Sequence, residues 1–153
     1  MIRAMKKDEK FRFAEKCLYE YKRNMACLEV LKEDLYVTQA DTDVKGQNYQ
    51  YTLDFTGGVS DPVSARLIKI ENLEYRIKHL ERLTRPITSL IDDLNSEDVL
   101  NGSHKKELMH VLRLLYFGCN TPEAIMGALN IAKSTYFKRR HEIVCITICY
   151  MGL

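Results

Sequence analysis

A chain of 153 residues and 17.8 kDa, with 46% hydrophobic and 29% charged residues, suits one domain or a small domain with an extended element, and it is too apolar to be disordered throughout. The 23 Lys and Arg nearly balance the 21 Asp and Glu, leaving +2, which excludes a uniformly basic, polyanion-coating protein. The balance is uneven: residues 101–153 hold seven basic against three acidic side chains, a net of +4, while the first hundred hold 16 against 18. A basic C-terminal third on a neutral protein points to a polyanion partner with a defined docking face.

Met1-Ile2-Arg3-Ala4-Met5-Lys6-Lys7-Asp8 has basic residues without a following apolar core, so no secretory signal is expected there. The apolar run Ile143–Cys149 is too short to span a bilayer. The expectation is a cytoplasmic protein without a membrane partner. The five cysteines (17, 27, 119, 145 and 149) form no CxxC pair and do not cluster with the four histidines, so free thiols are expected, with neither a disulfide framework nor a metal site.

The first predicted element is a long helix. Phe11, Ala14, Leu18, Tyr21, Met25, Leu28 and Leu35 recur in alternating steps of three and four, with Lys32 in the one polar slot. That seven-residue repeat gives a narrow apolar seam of coiled-coil type. At about 1.5 Å per residue, Phe11 to Leu35 runs roughly 36 Å, so something must lie along it.

Residues 45–48 read as a turn, after which Tyr49, Tyr51, Leu53 and Phe55 alternate with polar residues at strand spacing, up to Gly57-Gly58. A short extended strap packing its aromatics on the helices is the expectation, and a docking strand for another protein is the sharper alternative. Ser60-Asp61-Pro62 then opens a second helix with a capping side chain and a first-turn proline. Leu67, Ile70, Leu73, Ile77, Leu80 and Leu83 give it a broader apolar stripe. The two helices are read as an antiparallel pair, an elongated hairpin. Homodimerisation through the first helix is the competing arrangement, and periodicity does not separate them. Thr84-Arg85-Pro86 is expected to break the second helix or start a new one, with Ile87, Leu90, Ile91 and Leu94 continuing the apolar face. The polar stretch from Asn95 to Ser103 is the expected boundary, between a helical hairpin at 1–95 and a compact module at 96–153.

Three helix signals crowd that module. Ser103 is placed to cap a helix carrying Leu108, Val111, Leu112, Leu115 and Tyr116, ended by Gly118. Thr121-Pro122-Glu123 opens a short helix holding Ala124, Ile125 and Leu129, and Asn130 suits a left-handed turn. A last helix runs from Lys133 through Arg140 toward Val144, with Ile143–Met151 expected to seal the core. A short helix, a tight turn and a helix dense in Lys, Arg, Ser and Thr have the layout of a helix-turn-helix. Ile131, Tyr136 and Ile143 are the expected inward positions. Lys133, Ser134, Phe137, Lys138 and His141, with Arg140 beside them, are expected to face a duplex. Lys and Arg suit phosphates, Arg suits guanine, and Ser134 suits either backbone or base.

Residues Leu115–Ile125 and Leu129–Tyr136 resemble the sigma-factor region 4 type of helix-turn-helix, and more specifically the phage and prophage late-operon regulators of the ArpU/RinA type. Ser60-Asp61-Pro62 matches an element that precedes a long helix in many of them, and Ser134-Thr135-Tyr136-Phe137 matches the opening of the recognition helix. Ala132 stands where a capping Ser is common, and Asn130 replaces the usual Gly. The resemblance implies an all-α fold with a helix-turn-helix that binds double-stranded DNA and regulates transcription, activating late genes. RNA polymerase or a second copy would be a further partner. The DNA-binding set is Lys133, Ser134, Thr135, Phe137, Lys138, Arg139, Arg140 and His141, with Arg139 as a flank or phosphate contact. A coiled-coil adaptor or phage inhibitor with a degenerate helix-turn-helix is the alternative.

No catalytic set is expected. Asp92-Asp93 are adjacent, so their carboxylates splay about 100° apart on a helix, and no GxxxxGK[ST], GxSxG or HExxH occurs. No cofactor or metal is expected either.

Overall fold

The computed structural model describes residues 5–45, 62–96, 100 and 102–153. Among the described residues the chain is all-helical, with five helices and no strand: α1 (Lys7–Lys45), α2 (Pro62–Asn95), α3 (Gly102–Leu112), α4 (Pro122–Leu129) and α5 (Lys133–Met151). α3 continues into a π-helical turn, Arg113–Phe117. The expected strap falls outside the described residues, as do residues 46–48 of the turn before it and Ser60 and Asp61, while Lys45 ends α1. No helix among the described residues is long and apolar enough to cross a membrane.

α1 runs 39 residues without a Gly or Pro. Asp8 and Glu9 sit in its first turn, where the helix dipole favours negative charge, and the Lys6 amide donates to Glu9 Oε2 at 2.9 Å. α2 does not break at Thr84-Arg85-Pro86, contrary to the sequence expectation: it passes through Pro86 as one helix. Proline removes one backbone bond and crowds the preceding turn. Here Thr84, Ile87 and Leu90 are buried on both sides of it, and that packing holds the helical path. Tyr21 meets Thr88 at 2.8 Å and Lys32 meets Glu81 at 3.3 Å, so α1 and α2 pack together.

Contacts divide the chain into two compact units, Met1–Asn24 with Arg82–Leu153, and Met25–Glu81. The division differs from the 1–95 and 96–153 segments read from sequence, because each long helix contributes one stretch to each unit. In the second unit Leu28, Leu31, Leu73 and Ile77 form the core, with Met25, Leu35 and Leu80 packed against it. Lys32, the one polar residue in the seam, is satisfied by Glu81 of α2. Leu67, expected on the apolar stripe of α2, is instead 56% exposed.

The first unit holds the larger core. Ala14 and Leu18 of α1 and Ile87 and Leu90 of α2 pack with Val111 and Leu112 of α3, Ile125 of α4, and Tyr136, Ile143 and Val144 of α5. The N-terminal helix is therefore an integral part of the core under α5. Cys17, 3% exposed within this core, has its thiol pushed up to about 11 by burial and by Glu20. Its unfolded value lies near 9, so the folded state holds the proton more tightly. The resulting stabilisation is complete below about pH 9 and is lost as pH rises through about 11, a change of roughly 2–3 kcal/mol. Urea unfolding across that window is expected to show this loss in the wild type and a flatter profile in Cys17→Ala.

Candidate nucleic-acid interface

The C-terminal elements follow from local chemistry. Gly118 closes the π-helical turn, its amide donating to Arg113 O at 2.8 Å. A Cβ at Gly118 would stand 2.6 Å from Asn120 Nδ2, which itself donates to Leu114 O at 3.0 Å, so the close approach of Asn120 needs glycine there. Thr121 caps α4, its hydroxyl accepting from the Ala124 amide at 3.3 Å, and Pro122 occupies the first turn. Asn130 takes the left-handed conformation (φ 52°, ψ 48°) and ends α4, three residues before α5 begins at Lys133. α3 begins at Gly102, one residue before Ser103, which lies inside the helix. α4 packs against α5 and the π-helical turn, and α3 packs against α5.

α5 buries Tyr136, Ile143, Val144 and Thr147 on one face, with Ile131 half-buried ahead of it. Lys133, Ser134, Phe137 and Lys138 are exposed and Thr135 is half-buried. Lys133 and Lys138 carry no ion pair among the described residues.

The next three residues of the expected set are engaged by the chain itself. Arg139 lies between Glu107 of α3 and Glu142: Nη2 donates to Glu107 Oε2 and Nη1 to Glu142 Oε2, both at 3.4 Å. Its Nε stands 3.3 Å from Glu107 Oε1, an ion-pair distance without hydrogen-bond alignment. Glu142 also meets His104 Nε2 at 2.6 Å. Arg140 turns toward α1, where Nε donates to Glu15 Oε1 at 2.7 Å. The same oxygen accepts from the Tyr116 hydroxyl at 3.1 Å. Glu15 thus joins three elements: α1, the π-helical turn and α5. Its hydrogen bond raises the Arg140 pKa, and burial beside Glu15 raises that of Tyr116, so the guanidinium stays charged and the phenol stays protonated through the physiological range. His141 is exposed, with its ring stacked on Phe11 of α1 (centroids 5.4 Å apart, planes at 23°) and Nε2 3.3 Å from Cys145 Sγ.

Neither Glu15 nor Tyr116 stood out as a partner of the basic helix in the sequence. Glu15 was one of many charges between seam positions, and Tyr116 read as core. Among the described residues no group of three or more His, Cys, Asp or Glu converges as a metal site. Compared with protein-family models, curated proteins and solved structures, the chain matches none of them.

Proposed function

We propose that the chain is a sequence-specific DNA-binding transcriptional regulator, acting through α4, the turn at Asn130 and the first half of α5 as a helix-turn-helix. The single observation that carries this reading is the exposed start of α5. Lys133, Ser134, Phe137 and Lys138 stand clear of the core, while Tyr136, Ile143 and Val144 anchor the helix behind them. A helix presented in this way offers cations to phosphates and a hydroxyl to base edges. Arg139 and Arg140 serve to brace it. The resemblance to late-operon regulators of the ArpU/RinA type supplies the finer reading, activation of phage or prophage late genes. One module makes few contacts, so useful affinity calls for two half-sites or contact with RNA polymerase.

The test is retention of the full chain on duplex DNA as salt is raised. Lys133→Ala with Lys138→Ala is expected to lower affinity roughly tenfold and to reduce the slope of log affinity against log salt by about 2. Unchanged binding and slope would remove these residues from the interface. The second reading, a protein-binding adaptor, is favoured by the engagement of Arg139, Arg140 and His141 with side chains of the chain itself. Absence of salt-dependent DNA retention in a folded wild type would select it.

A further inference from the structure

We infer that α1 supplies a second DNA contact beside α5, a strip in which Arg12 and Lys16, between the acidic Asp8, Glu9 and Glu20, meet the phosphate backbone bordering the groove that α5 enters. This rests on the DNA-binding reading and deepens it. Two contacts fix α1 to α5: Phe11 stacks on His141, and Glu15 holds Arg140 at 2.7 Å. Arg12 and Lys16 each follow one of these anchors by one residue. Both are exposed, and neither carries an ion pair among the described residues.

Helical geometry places the strip. At about 100° per residue, Ala14, Cys17 and Leu18 lie to one side of the line through Phe11 and Glu15, and these are the core residues. Arg12 and Lys16 lie to the other side, with Tyr19 on their flank. Tyr19 is 46% exposed and packs edge-on against Tyr116, 4.7 Å between centroids. On α5, the line through Arg140 and His141 divides the helix in the same way. Tyr136, Ile143 and Thr147 go to the core, and Ser134 and Lys138 go to solvent. Phe11 meets His141 and Glu15 meets Arg140, and the core sides of α1 and α5 enter one hydrophobic cluster. The sides turned away from that cluster therefore face solvent together. Phe137 is 44% exposed.

The usual spacing of packed helices suits a duplex. Packed helices lie about 8–10 Å apart. A helix in a major groove about 12 Å wide therefore has its neighbour over the flanking phosphates, out of reach of base edges. Arg12 and Lys16 would then add affinity and salt dependence without adding sequence preference.

Arg12→Ala with Lys16→Ala tests this in the full chain, with sheared genomic duplex DNA as the probe. The expected result is an unchanged melting temperature, roughly tenfold weaker binding and a salt slope smaller by about 2, with the preferred sequence unaltered. A charge-matched control, Lys69→Ala with Lys78→Ala on α2, is expected to keep the wild-type slope. A slope unchanged in the α1 variant but reduced by Lys133→Ala with Lys138→Ala would overturn the α1 contact and leave the DNA reading standing. An equal loss in the control would overturn it as a mere net-charge effect. A wild type that shows no salt-dependent retention would overturn both.

Discussion

Leu18→Ala is expected to lower stability by about 2–5 kcal/mol and the melting temperature by roughly 10 °C. Leu18 is fully buried, in one core with Val111 and Leu112 of α3, Ile125 of α4 and Tyr136 of α5. Removing its outer carbons leaves a cavity under the helices that present the candidate interface, and those helices cannot close it without giving up contacts of their own. The effect would register in the near-ultraviolet signals of the buried Tyr116 and Tyr136. If α1 were a rod that packed on none of the other helices, the same truncation would cost well under about 1 kcal/mol, as at an exposed site. Calorimetry of the two proteins decides between these outcomes.

Arg140→Ala is expected to cost about 2–3 kcal/mol. The side chain of Glu15 is only 15% exposed, and losing its guanidinium partner leaves the carboxylate with the Tyr116 hydroxyl alone. Breaking a fully buried pair costs about 3–5 kcal/mol. Arg140 keeps 34% of its side chain exposed, so solvent offsets part of that loss. Glu15→Gln relieves the stranded charge. The double variant is therefore expected to be more stable than the sum of the single losses implies, by about 1–2 kcal/mol in a double-mutant cycle read by urea unfolding. Additive losses would mean that the two residues do not interact in solution. The cycle also separates the two roles open to Arg140. A brace shows in stability, whereas a DNA contact would lower the salt slope without changing the melting curve.

Much of the architecture was legible because local chemistry decided it. The seam of α1, the Thr121-Pro122 opening of α4, the left-handed Asn130 and the inward Tyr136 and Ile143 are all set by neighbours within a turn or two. Pro86 was misread for the complementary reason. Its local preference is to break a helix, and burial of Ile87 and Leu90 against the rest of the first unit overrides it. Leu67 shows the limit of periodicity, since an apolar residue at helical spacing is buried only where a partner exists, and none covers it among the described residues.

The candidate site was legible by halves. Lys133, Ser134, Phe137 and Lys138 are exposed as their spacing suggested. Arg139, Arg140 and His141 looked equivalent to them in sequence, because a run of cations on a helix does not reveal which members find acids elsewhere. The partner of Arg140 lies 125 positions away in the chain, beyond any local pattern. The partners of Arg139, Glu107 and Glu142, look in sequence like charges that merely offset the basic third. Folding thus divides that run into exposed cations at the start of α5 and braced ones in its middle.

The most direct measurement is enrichment of sheared genomic DNA on the purified full chain at about 0.15 M salt, where specific and non-specific binding separate. A transcriptional regulator acting through the start of α5 is expected to enrich one short sequence, and Ser134→Ala is expected to weaken the preference at one position of it. A folded protein that retains DNA with no recurring sequence, or retains none, would contradict the assignment.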